Sequence, residues 1–282
     1  MIFNKKFLIF NILNILDKLL IFIIPLFTLL ILQDKSLYNE IEYIYSISLI
    51  IYILCDGGIK NFSLVFYRTS KNKKNFLDNN YKYINTISVY YFCLTIVLIL
   101  FLSLISQYEA LYLFIFFRVL FLININYHKI HFSLKSKQNN ILYLSLLVSI
   151  STVGYLTFKF YFFETINIFD CFLFNIIILS LFLIYNVSNK YFLNFEKILN
   201  IFKKSLSFSY PLILNSLIFI FIMHFIKIYS YNYLSDNEMT QISFVTRFML
   251  IIMFLHSGFN NFYYKKFFNM KEKKFDYKIF FN

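Results

Sequence analysis

The chain has 282 residues, of which 60% are hydrophobic and 23% aromatic, while charged residues make up only 15%. That composition lies outside the range of water-soluble domains and reads as a membrane protein. The net charge of +13 invites a nucleic-acid partner, but the lysines collect in short loops between apolar runs, where they read as topology signals touching anionic headgroups and speak against nucleic acid.

Eight apolar segments are predicted to cross the bilayer as helices, at 8–32, 43–66, 84–106, 110–127, 141–158, 171–187, 208–231 and 240–264. Each is long enough, at about 1.5 Å per residue, to span most or all of a hydrocarbon core of about 30 Å. The first follows a basic start, MIFNKKF, and runs on without a small-residue cleavage site, so it reads as a span and not as a removable signal peptide. The expected fold class is therefore all-α and polytopic. An even number of spans puts both termini on one side. Loops on that side carry 20 Lys and Arg, whereas the opposite loops carry two, Lys35 and Lys159. The positive-inside rule then places both termini in the cytoplasm.

Seven ionisable residues fall inside the predicted spans: Asp17, Lys18, Asp56, Lys60, Arg118, Lys227 and Arg247. Facing lipid at the bilayer centre, each would cost about 2.5–3.5 kcal/mol, so they are expected to face protein or a wet cavity. Five cations against two acids invite an anionic substrate. In ILCDGGIKNF (53–62), Asp56 and Lys60 are four apart and can satisfy one another across a helical turn, and Gly57 and Gly58 permit close helix approach or a break in the helix. Arg118 and Arg247 suit bidentate contacts to phosphate, with the capping of backbone carbonyls as the structural alternative.

The remaining signals are weaker. His128 and His131 lack nearby acids or thiols, so no metal is expected; His224 and His256 read as hydrogen-bonded helix contacts, with proton coupling as the alternative. Pro25 and Pro211 are expected to kink or start their spans. Cys55, Cys93 and Cys171 are odd in number, lie in or beside apolar stretches and read as small hydrophobes. No nucleotide-binding loop or hydrolase motif occurs, and neither enzymatic activity nor a cofactor is expected.

The chain also resembles itself. At an offset of 198, Asn39-Glu40 meets Asn237-Glu238 and Lys5-Lys6 meets Lys203-Lys204; at 200, Gly58, Asn61 and Phe62 meet Gly258, Asn261 and Phe262. Spans one and two then correspond to spans seven and eight, giving parallel repeats of six spans related by an axis along the membrane normal. The expected organisation is a six-helix lobe over 1–200, the first two helices of an incomplete second lobe over 201–264, and a basic cytoplasmic tail over 265–282. A full second copy would reach roughly residue 390 to 400.

EYIYSISLIIYILCDGGIKNFSLVFYR (42–68) resembles the second span of bacterial polysaccharide flippases, in which a tyrosine-rich start leads through an apolar run to an Asp-x-Gly-like exit. KKSLSFSYPLILNSLIFIFIMHFIKIYSYNYLSDNEMTQISFVTRF (203–248) resembles their seventh span and the start of the eighth, including Tyr210-Pro211-Leu212. The family belongs to the multidrug/oligosaccharidyl-lipid/polysaccharide exporter superfamily. The resemblance implies a bacterial inner-membrane transporter that flips undecaprenyl-pyrophosphate-linked oligosaccharide to the periplasmic leaflet by alternating access, for surface polysaccharide assembly. It further implies a cation-lined cavity, for which Lys18, Asp56, Lys60, Arg118, Lys227 and Arg247 are the candidates. The partners implied are the lipid-linked oligosaccharide, membrane lipids, and polysaccharide polymerase and chain-length proteins. Two departures stand out: Ile226 precedes Lys227 where the family often has an acid, and eight spans stand where members usually have twelve or fourteen. The alternatives are an inactive truncated flippase and a membrane polysaccharide polymerase or glycosyltransferase.

Overall fold

A computed structural model describes residues 16, 23–59, 62–63, 67, 72–104, 110–134, 138–163, 165–188 and 193–249. Among these residues all regular structure is helical. The helical segments are α1 (23–30), α2 (Lys35–Asp56), α3 (Lys73–Leu104), α4 (Ala110–Leu134), α5 (Gln138–Phe163), α6 (Ile168–Ser188), α7 (Phe195–Tyr233) and α8 (236–249). Among the described residues three stretches are long and apolar enough to cross a membrane: Leu111–His128 in α4, Ser145–Phe163 in α5 and Phe195–Tyr233, the whole of α7.

Local chemistry sets the helix ends. Asp34 caps α2 by accepting the backbone N–H of Leu37 at 2.9 Å, and Asn72 does the same for α3 through Asn75. Ser235 and Glu238 form a capping box at the start of α8: the Ser235 N–H and hydroxyl donate to Glu238 Oε2 at 3.0 and 2.8 Å, and the Glu238 N–H donates back to Ser235 Oγ at 3.5 Å. Consequently α2 begins at Lys35, earlier than the apolar run at 43. It also ends earlier, at Asp56, because Gly57 takes the left-handed conformation with φ 56° and closes the helix. Pro211 neither starts nor ends its helix. It lies inside α7, which begins at Phe195, and its missing N–H leaves one carbonyl of the preceding turn without its usual donor.

Six polar side chains within the apolar helices are quieted locally. Thr95, Ser149, Thr152, Thr157 and Ser230 each donate a hydroxyl to the carbonyl four residues back, and Asn124 does so with its amide. This lets a hydrophobic helix carry them without open hydrogen-bonding demands.

Helix α4 packs on α2, α3, α5 and α6, and α2 packs chiefly on α4 and α7. One apolar cluster joins Ile24 and Phe27 of α1, Ile41 and Ile44 of α2, Phe114 of α4, Leu156 of α5 and Phe172 of α6; another joins Ile59, Tyr83, Ile87, Ile123, Tyr127 and Ile198. The outward faces are also apolar. On α7 the exposed rings of Phe221, Phe225, Tyr229 and Tyr233 stack in succession, with centroids 4.9, 6.4 and 4.8 Å apart. An apolar exterior over a polar-studded interior is what a bilayer solvent selects.

Candidate functional site

Helix α2 runs antiparallel to α7, and its contacts with α7 and α8 fall at three levels. At the far end of α2, Gly57 and Gly58 have φ of 56° and 69°, so the backbone turns against α7 with its carbonyls exposed to it. Ser205 Oγ donates to the Gly57 carbonyl at 2.8 Å, and Ser209 Oγ donates to that of Gly58 at 3.0 Å. The approach is too close for side chains: a Cβ on Gly57 would lie 2.4 Å from the Phe202 ring, and one on Gly58 would lie 2.2 Å from Ser209 Cβ. The glycine pair therefore does both things its sequence allows, ending the helix and admitting a neighbour. The helical turn expected to carry Asp56 onward is broken, because α2 stops at Asp56 and Gly57 closes it. Lys60 itself lies outside the described residues.

At the middle level, His224 Nδ1 of α7 lies 2.9 Å from Ser46 Oγ of α2. This is the hydrogen-bonded helix contact expected of that histidine. One turn on, Glu42 of α2 receives two cations. Lys227 Nζ donates to Glu42 Oε2 at 2.8 Å, and Arg247 Nε of α8 donates to Glu42 Oε1. Glu42, Lys227 and Arg247 are 1%, 1% and 5% exposed. Buried charges persist only when paired, and a carboxylate that gives one oxygen to each of two cations is a compact way to pair them.

The third cation stands one aromatic ring away. Tyr45, on the same face of α2 as Glu42, has the Arg118 guanidinium of α4 over its ring at 4.3 Å and that of Arg247 at 6.0 Å. Arg118 is also 5.5 Å from the centre of the Phe121 ring. Four helices thus converge: α2 gives the carboxylate and the ring, α4, α7 and α8 one cation each. The four charged side chains carry two positive charges in excess.

At the near end, the starts of α2 and α8 clasp each other. Lys35 Nζ donates to Asn237 Oδ1 at 2.6 Å, and Asn39 Nδ2 donates to the carbonyl and the side chain of Asp236, both at 3.0 Å. Asn39 and Asn237 are the residues paired at an offset of 198.

Of the candidates, Arg118, Lys227 and Arg247 are brought together. Asp56 lies at the far end of α2, fourteen residues or about 21 Å along the helix from Glu42, among Tyr52, Tyr91 and Tyr127; the Tyr91 hydroxyl donates to the Cys55 carbonyl at 2.8 Å. Lys18, like Asp17 and Lys60, is outside the described residues, as is His256. Glu42 was not among the candidates, because the apolar run begins one residue after it. Its sequence signal is Asp34: a capping residue there starts the helix early enough to carry Glu42 in with Tyr45 and Ser46. A separate ion pair, Lys159 Nζ to Asp170 Oδ2 at 2.6 Å, joins the adjoining ends of α5 and α6. Among the described residues no group of His, Cys, Asp and Glu could hold a metal ion. No family model, curated protein or solved structure matches the chain.

Proposed function

We propose that this chain is a transporter that carries undecaprenyl-pyrophosphate-linked oligosaccharide from the cytoplasmic to the periplasmic leaflet of the bacterial inner membrane by alternating access. In this reading it crosses the membrane eight times with both termini in the cytoplasm. Helices up to residue 200 form one lobe, and α7 and α8 open a second. The observation that carries the proposal is the convergence of Arg118, Lys227 and Arg247, from three helices, on one buried carboxylate and one tyrosine ring. Such a positive excess within apolar helices suits a diphosphate, whose oxygens match the planar guanidinium fork and a lysine point charge. The carboxylate comes from the first lobe and two of the cations from the second, so a relative movement of the lobes opens and closes the site. The meeting of Asn39 with the Asp236-Asn237 corner is the contact expected where equivalent helices of parallel repeats approach a common axis.

The test is reconstitution of the full chain into vesicles with an undecaprenyl-diphosphate-linked oligosaccharide bearing a dithionite-sensitive fluorophore. Active vesicles lose nearly all fluorescence to external dithionite, whereas protein-free vesicles lose about half, the share of the outer leaflet. Arg118→Gln is the informative variant, because its aromatic contacts contribute only about 0.5–2 kcal/mol to the fold. With a charged hydrogen bond to substrate lost, at about 1.5–3 kcal/mol, flipping falls roughly tenfold or more at equal protein incorporation. Unchanged flipping in Arg118→Gln would remove the arginine from the site, and no flipping by the native chain would remove the proposal.

A further inference from the structure

Only one face of α7 is committed within the chain, the one that turns Ser209, His224 and Lys227 inward. On the other side the sequence repeats every 3.5 residues. Phe208, Asn215, Ile222 and Tyr229 stand seven apart, and Pro211, Ile218, Phe225 and Asn232 follow them three residues on at the same interval. These are the a and d positions of a heptad. All of these side chains are exposed, and they form one stripe about 36 Å long, enough to cross a hydrocarbon core of about 30 Å.

Such a stripe can meet lipid or another helix, and Asn215 discriminates. It lies seven residues, or about 10 Å, inside the apolar stretch that starts at 208, and it makes no hydrogen bond among the described residues. Asn232 satisfies its amide on its own helix, donating to the Ile228 carbonyl at 2.8 Å; Asn215 does not. An amide held in hydrocarbon without a partner is costly. Its partner has to come from outside the helix.

We infer that the outer face of α7 binds a second copy of this chain, parallel helix against parallel helix, through this heptad seam. The inference goes beyond the proposed transport and uses only its membrane crossing. Copies inserted in the same direction are related by a twofold axis along the membrane normal, which brings each a position against itself. Asn215 then meets its own copy, and an amide can satisfy itself: Nδ2 of each donates to Oδ1 of the other. A polar pair of this kind at one a position fixes register and oligomer state. Ile218, Ile222 and the stacked rings of Phe225 and Tyr229 supply the packing around it. Because Lys227 faces α2 and the seam faces away, each copy keeps its charged cluster enclosed.

The experiment is cysteine scanning of α7 in the full chain, reconstituted into vesicles, with Cys55, Cys93 and Cys171 replaced. Under oxidation by copper phenanthroline, Ile218→Cys, Ile222→Cys and Phe225→Cys are expected to give disulfide-linked dimers. Ser216→Cys and Ile220→Cys, on the other side of the helix, are expected to give none. Resonance energy transfer between donor- and acceptor-labelled copies, followed as lipid dilutes the protein, measures affinity. Asn215→Leu should weaken association about threefold to thirtyfold, whereas Asn215→Gln, which keeps donor and acceptor, should stay within about threefold of the native chain. No cross-links along the seam, as when lipid or residues 250–282 of the same chain cover it, overturns the inference. So do equal yields on both faces, the mark of random collision, and an Asn215→Leu chain that associates like the native one. A chain that flips its substrate as a monomer sinks this inference alone, and a dimer that flips nothing sinks the proposed transport alone.

Discussion

Glu40 and Glu238 lie where the starts of α2 and α8 meet, yet their surroundings act on them in opposite directions. The Ser235 hydroxyl, and then its N–H, hold the Glu238 carboxyl below the ordinary glutamate value. Burial pushes Glu40 up, and the Asp34 and Asp236 carboxylates add to it. The linkage signs follow. Glu238's contribution to stability is present above the ordinary value and lost as pH falls through its own lowered one; that of Glu40 is full at low pH and lost as pH rises through its raised one. Glu40→Gln should therefore raise the melting temperature at pH 7 and leave it unchanged near pH 4, whereas Glu238→Gln should lower it at pH 7 with little effect at low pH. Melting curves in detergent at the two pH values check both signs. These capping and charge relations were partly legible, since Ser-Asp-Asn-Glu is a capping box on sight. Glu42 was not, because hydropathy finds where greasy residues begin, and its partner Lys227 is 185 residues away.

Helix α2 owes its shape to a break, and the break is what lets α7 in. In Gly58→Ala the new methyl meets a carbon attached directly to the α7 backbone, 2.2 Å away, at a φ of 69°. The left-handed conformation costs about 1–2 kcal/mol for a residue with a Cβ, and overpacking about 1–3 more. A loss of about 2–5 kcal/mol is expected, read from denaturant or thermal unfolding. Ser209→Gly in the same chain removes the obstructing Cβ and should restore the overpacking share but not the conformational share, a coupling that a double-mutant cycle measures. ILCDGGIKNF announced the break and the possibility of close approach. It could not announce the neighbour, because Ser205 and Ser209 lie 148 and 151 residues on.

Across the whole molecule, α2 and α7 set a direction. Lys35 stands at the end where α2 and α8 begin, and Lys203 at the end marked by Gly57 and Phe202, so these exposed lysines report opposite ends of one antiparallel pair. With the positive-inside orientation, and in a background where Cys55, Cys93 and Cys171 are replaced, Lys35→Cys should react with an impermeant maleimide added to intact spheroplasts. Lys203→Cys should react only after permeabilisation. The reverse pattern inverts the topology, and labelling of both from outside denies the membrane crossing. The helical nature of the chain and the approximate place of each element were readable from apolar run lengths. Helix ends were not, because caps and glycines set them: α7 begins at Phe195, well before the apolar stretch at 208. Nor was the pairing of helices, which depends on contacts between residues far apart in sequence.

The stacked rings along the outer face of α7 have an optical consequence. The chain contains 24 tyrosines and no tryptophan, so Phe225→Trp would place its sole indole in the middle of that ladder, on a residue about half exposed. Its emission would belong to one known position on one helix. In vesicles that emission should be blue-shifted and quenched by brominated acyl chains if lipid bathes the face. A red-shifted, iodide-quenched band would mean that the face meets water.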